Sequence, residues 1–120
     1  MSAKKIPPRL QQYLAQLDRL QNTYLAVLSQ KQAVDSQLIE TRNALSEVEG
    51  AKEDQEVYKL VGNVLVKMDK EKLKEELNEM KNILETRQKT LENEVKRLSK
   101  EIEKLNEVVS KMLKEEGLTS

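Results

Sequence analysis

VYKLVGNVLVKM, Val57 to Met68, consists of two short β-branched runs separated by Gly62-Asn63. A two-residue loop with glycine in its first central position predicts a tight hairpin. That turn sets the register, with Val61 opposite Val64, Leu60 opposite Leu65 and Tyr58 opposite Lys67. Side chains alternate across a strand, so one face carries Val57, Val61, Val64, Val66 and Met68, and the other carries Tyr58, Leu60 and Leu65. Both faces are apolar and both edges are open. A lone two-stranded hairpin is marginal in water, and an oily sheet with free edges invites pairing with another chain. The stretch therefore predicts a subunit that assembles through its middle. Its oligomerisation surface is Val57, Tyr58, Leu60, Val61, Val64, Leu65, Val66 and Met68.

On the carboxyl side, Asp69 can accept hydrogen bonds from the free amides of a second helix, with Met68 and Leu73 at staple spacing around it. This helix is expected over about 70–116, with a seam at Leu77, Met80, Leu84, Arg87 and Leu91 that resumes at Val95, Leu98, Ile102, Leu105, Val109 and Met112. The extra four-residue step from Leu91 to Val95 reads as a stutter, which locally relaxes a supercoil. Glu85 with Lys89, Glu92 with Lys96 and Glu107 with Lys111 are expected surface pairs.

On the amino side, Pro7-Pro8 suits a helix start, because a first-turn proline gives up an amide that has no intrahelical partner. The first helix is expected over about 8–49, with Gly50 as its carboxyl-terminal cap. Leu10, Tyr13, Leu17, Leu20, Tyr24, Val27, Lys31, Val34, Leu38, Thr41, Leu45 and Val48 recur in steps of three and four, and all but Lys31 and Thr41 are apolar. That is a coiled-coil seam. Helices of about 40 and 45 residues are roughly 60 to 70 Å long, and nearly equal lengths argue for antiparallel pairing. The expected fold is mainly α: a long antiparallel two-helix coiled coil with one central β-hairpin (about 56–68), a single domain over residues 1–120 with its termini together at the tip away from the hairpin.

Composition agrees with a coil and excludes much else. Of the residues, 35% are charged and 2% aromatic, with no Phe, Trp, Cys or His. Without histidine the usual triads and imidazole metal sites are excluded, and without cysteine so are disulfides and thiolate ligands. Gly50, Gly62 and Gly117 are too scattered to cradle a phosphate. An enzyme is the wrong class, and no cofactor or metal is expected. Lys+Arg and Asp+Glu both number 21, so no net field draws the chain to nucleic acid or an anionic membrane. No signal peptide or membrane span is read, and the cytoplasm is the expected compartment.

Between Tyr13 and Leu28 only Asp18 and Arg19 are charged, and Leu14, Leu25 and Leu28 lie off the seam. Near the other end Val108 and Leu113 flank Val109 and Met112, and the tails add Ile6 and Leu118. On periodicity alone this surplus reads as seam packing and frayed ends. It also suits weak binding to many partners through adaptable Leu and Met side chains.

A long helix, a hairpin reading VYKLVGNVLVKMDKEKLKEEL and a second long helix resemble the β-type subunits of prefoldin, of the archaeal kind. Val57 to Leu77 carries the most specific part, above all Tyr58-Lys59, Val61-Gly62-Asn63 and Leu65-Val66-Lys67, and IPPRLQQYLAQLDRLQ at Ile6 to Gln21 is similar to the family's amino-terminal region. The single hairpin is the β-type feature. The resemblance implies a hexamer of two α-type and four β-type subunits, whose hairpins build an oligomeric β-barrel platform with coiled coils projecting from it. It implies an ATP-independent holdase that captures non-native polypeptides at the coil tips and passes them to a group II chaperonin. It also moves Ile6, Leu10, Leu14, Leu17, Val108, Val109, Met112, Leu113 and Leu118 toward a client-binding role. Two other readings stand beside it. A structural or adaptor coiled coil shares the seams but gives no reason for a two-faced oily hairpin, and a nucleic-acid-binding rod is opposed by the balanced charge.

Overall fold

The structure, a computed structural model, describes residues 6–117, so the Leu118 expectation lies outside the described residues. Four elements follow one another: α1 (Pro8–Gly50), β1 (Val57–Val61), β2 (Val64–Met68) and α2 (Lys70–Glu115). The fold is two long helices joined by one antiparallel β-hairpin. The strands pair in the register expected from the turn, Val61 with Val64, Leu60 with Leu65, Lys59 with Val66, Tyr58 with Lys67 and Val57 with Met68. Gly62 has a φ of 59° and Asn63 has none above zero, which is the type II′ pattern.

The helix ends differ from expectation in two places. Gly50 is the last residue of α1 but does not take the left-handed conformation. The helix instead closes with a tighter bond from Ala51 N–H to the Val48 carbonyl, 3.2 Å, and the Lys70 ammonium donates to the Ala51 carbonyl. A cation at a helix carboxyl end satisfies an orphan acceptor and opposes the negative end of the dipole. This one also ties the end of α1 to the start of α2. The left-handed glycine lies at the end of α2, where Gly117 has a φ of 66° and its N–H reaches the Lys114 carbonyl at 3.1 Å. At Asp69 the backbone carbonyl takes the first α2 bond from Leu73 N–H, 2.9 Å, while the carboxylate makes no capping bond among the described residues.

The chain divides into two compact units, each built from parts of both helices. Lys31–Thr90 contains the hairpin. There Val34, Leu38, Thr41 and Leu45 of α1 and Leu73 and Leu84 of α2 are buried, with Val48 and Leu77 half-buried. The Thr41 hydroxyl is satisfied within its own helix, donating to the Gln37 carbonyl at 2.8 Å. Antiparallel direction follows from two cross-helix contacts, Asp35 with Gln88 and Arg42 with Glu85.

The other unit, Met1–Gln30 with Leu91–Ser120, holds the amino end of α1 and the carboxyl end of α2. Leu10, Val27, Leu91, Leu98, Leu105 and Val109 are buried in it, while Tyr13, Leu17, Leu20, Tyr24, Val95, Ile102 and Met112 are half-buried. All twelve expected α1 seam positions are therefore at least half-buried.

Two α2 seam positions are corrected. Met80 is 53% exposed, and Arg87 is exposed as well; the half-buried residues beside them are Lys81 and Gln88. The inward stripe runs Leu77, Lys81, Leu84, Gln88, Leu91, Val95, in unbroken alternating steps of four and three, so no stutter is present. Lys81 is half-buried there, which a long aliphatic stem tolerates, and Gln88 keeps its place by bonding Asp35 across the coil. The three expected Glu–Lys surface pairs do not form among the described residues. Glu85 reaches Arg42 on the opposite helix at 3.3 Å, and the pairs found along α2 include Arg97 with Glu101 at 2.8 Å.

Candidate interaction surfaces

The hairpin is the first candidate surface. Val57 and Met68, at its base, are half-buried, and every other hairpin residue is exposed. The face bearing Val57, Val61, Val64, Val66 and Met68 also bears Lys59, whose ammonium meets Glu76 of α2 at 3.1 Å, so this face inclines toward α2. The opposite face presents Leu60 and Leu65 directly across from each other, 65% and 66% exposed. Beside them Glu56 accepts hydrogen bonds from the Tyr58 hydroxyl and from Lys67 Nζ, the latter at 3.1 Å. Those two donors, Tyr58 first, hold the Glu56 carboxyl below the usual carboxylate range. The same carboxylate pushes the Tyr58 phenol and the Lys67 ammonium above their ordinary values. The polar groups thus satisfy one another at the rim and leave the leucine pair bare. The sheet has two strands, so each turns an unpaired row of amides and carbonyls outward among the described residues.

The second candidate surface lies in the unit containing the helix ends. Ile6 and Val108 are exposed at 41% each, while Leu14, Leu17, Met112 and Leu113 are half-buried. Leu10 and Val109 are buried between the helices, so no other molecule reaches them while the helices stay paired. Shallow grooves flank the helix pair. One lies along Leu20, Leu105 and Val108 and another along Tyr13, Val108 and Met112, which makes Val108 common to both. On the other side Tyr24, Leu25 and Ile102 line a third, in which Leu25 is exposed. Leu25 was visible in the sequence as an off-seam leucine; the grooves were not, because they depend on which residues face each other across two helices.

No helix among the described residues is long and apolar enough to cross a membrane. The model of the family described as "Prefoldin subunit" matches residues 11–116. The chain belongs to the prefoldin family, as a β-type subunit. The β assignment rests on the relatives. The prefoldin subunit beta of Pyrococcus horikoshii is 43% identical over 74 residues, covering 62% of this chain and 63% of the relative. That of Sulfurisphaera tokodaii is 41% identical over 75 residues, covering 62% of this chain and 60% of the relative. In these alignments the chain spans somewhat less than two thirds of the relatives' length. The crystal structure of the prefoldin beta subunit from Thermococcus strain KS-1 superposes with a TM-score of 0.81 at 37% identity, covering 92% of this chain and 97% of that one. The prefoldin β-type fold therefore extends over nearly all of this chain, hairpin included.

Proposed function

We propose that this chain is one subunit of an ATP-independent chaperone, a holdase that keeps unfolded proteins from aggregating and hands them to a group II chaperonin. The observation that carries this reading is the hairpin: apolar on both faces, exposed on both, and unpaired along both edges. A surface of that kind is stable in water only when other chains cover it. In the family's arrangement the cover is a β-barrel platform built from the hairpins of two α-type and four β-type subunits, located in the cytoplasm.

Assembly gives the helix ends their use. Each arm offers a few apolar side chains, among them Ile6, Leu14, Val108, Met112 and Leu113. Burying one Leu-sized group gives roughly 1.5 to 3 kcal/mol before ordering losses, too little for one arm to hold a client. Several arms on one platform bind the same unfolded chain through a high effective concentration, and each contact stays reversible. Release then needs competition from a chaperonin rather than nucleotide hydrolysis. This role requires no catalytic group.

The test is to mix the chain with a cognate α-type subunit, then measure mass by light scattering and suppression of aggregation of a chemically denatured enzyme. The full chain should form the hexamer and protect. A chain lacking residues 1–9 and 113–120 should still form it but protect less. Undiminished protection moves the client surface away from the helix ends. Assembly without any protection by the full chain supports the adaptor reading instead.

A further inference from the structure

A row of exposed side chains on the first turns of α2 has no use in the helix pairing described above. Glu76, Met80 and Ile83 follow at steps of four and three, which places them on one face of the helix. Met80 is 53% and Ile83 67% exposed. With Lys59 and Glu79 they line a groove of about 250 Å³ between β1 and α2. That is smaller than the usual small-molecule site and suits one or two aliphatic side chains. Its floor is apolar and its rim acidic: Glu76 is engaged by Lys59, while Glu79 has no ion-pair partner among the described residues.

The surface complementary to this groove is on the hairpin itself. Leu60 and Leu65 form a bare aliphatic pair on the face turned away from α2, and Lys67, which meets Glu56 of its own chain at 3.1 Å yet keeps most of its side chain exposed, stands next to them on that face. We infer that the groove floored by Met80 and Ile83 receives the Leu60–Leu65 pair of a second copy of this chain, with the incoming Lys67 beside Glu79. The inference rests on the assembly reading and adds to it a helical half of the contact. The contact is head-to-tail, because the outer hairpin face of one copy meets the groove of the next. Such contacts repeat around a ring when the rotation closes. They also bury Met80 and Ile83, which a contact through the strands alone leaves wet.

The chain has no cysteine, so introduced thiols report contacts without background. In the assembled complex, chains carrying Ile83→Cys mixed with chains carrying Leu65→Cys should form a disulfide-linked dimer under mild oxidation. Chains carrying Ile39→Cys, another exposed position, on α1, should not. Adding Glu79→Lys to the Ile83→Cys chain should lower the yield several-fold, and Lys67→Glu in the Leu65→Cys chain should restore it. Unchanged complex mass with cross-linking no greater than the Ile39→Cys control overturns the groove contact and leaves the assembly reading standing. A mass that remains that of a single chain overturns both. Assembly only on addition of an α-type subunit, with no disulfide between copies of this chain, assigns the groove to that partner and also overturns the proposal.

Discussion

Gln88 of α2 donates from Nε2 to Oδ1 of Asp35 on α1 at 2.7 Å, a polar bridge across a stripe otherwise packed mainly by leucine and valine. The other Asp35 oxygen accepts from Lys31 Nζ, also at 2.7 Å. A hydrogen-bonded polar position in a coil fixes register more than it adds stability. Gln88→Leu should therefore leave the thermal midpoint unchanged or raise it, while distances between spin labels at Arg42 and Glu85 broaden. A lowered midpoint with sharp distances would show that the bond serves stability instead.

The same carboxylate makes the pairing sensitive to acid. Lys31 first and Gln88 second hold the Asp35 carboxyl below its ordinary value. A carboxylate with a lowered folded pKa contributes stability that is full above the ordinary carboxylate value and is lost as pH falls through the lowered one. Unfolding midpoints should drop in that acid window, and Asp35→Asn should flatten the drop. Because Asp35 is partly exposed, added salt should shrink the effect. An acid profile that Asp35→Asn leaves untouched would place the sensitivity elsewhere, Glu56 being the next candidate.

The hairpin turn depends on one backbone angle. Nothing lies within 4 Å of a Cβ built on Gly62, so a side chain there meets open space and the only cost is its φ of 59°. Gly62→Ala should cost about 1 to 2 kcal/mol, and Gly62→Asn less, since asparagine tolerates the left-handed region. Denaturant titration of the assembled complex checks the order; equal costs would contradict a backbone origin.

Charge placed on the hairpin should act on assembly and not on the helices. Val64→Asp or Leu65→Asp should abolish complex formation with an α-type subunit while helical circular dichroism is retained, since both side chains are exposed in the single chain. An unchanged mass by light scattering would remove the hairpin from the interface.

Leu98, fully buried within the helix pair, tests the opposite case. Leu98→Ala should lower stability by about 2 to 5 kcal/mol through lost burial and a residual cavity. Val108→Ala, on the exposed side of the same helix, should leave stability nearly unchanged and reduce client protection. A parallel loss of stability in both would mean that Val108 is a packing residue.

Residue type and spacing carried most of the fold. The strand register followed from Gly62-Asn63 and the alternation around it, and the α1 seam followed from its three-four periodicity, including polar Lys31 and Thr41. On α2 the same reasoning chose Met80 and Arg87 over Lys81 and Gln88, because a seam sought through apolarity passes over a half-buried lysine and a glutamine bonded across the interface. The misplaced residue was then the informative one, since Met80 joins Ile83 on an outward face beside the hairpin. Among the residues expected from the sequence to meet a client, Ile6 and Val108 are exposed while Leu10 and Val109 are buried. A helical repeat fixes which side a residue is on, not how closely the opposite helix covers it.

The two unpaired rows of backbone groups on the hairpin have a consequence for the cell. A free strand edge templates any extended segment that comes near, including the edge of an identical neighbour, and stacking of that kind has no natural stopping point. A polypeptide translated in excess of its companions would be left as a seed for fibres. On the assembly reading, the purified chain should therefore stay free of fibres only while companions are at hand to cover the hairpin.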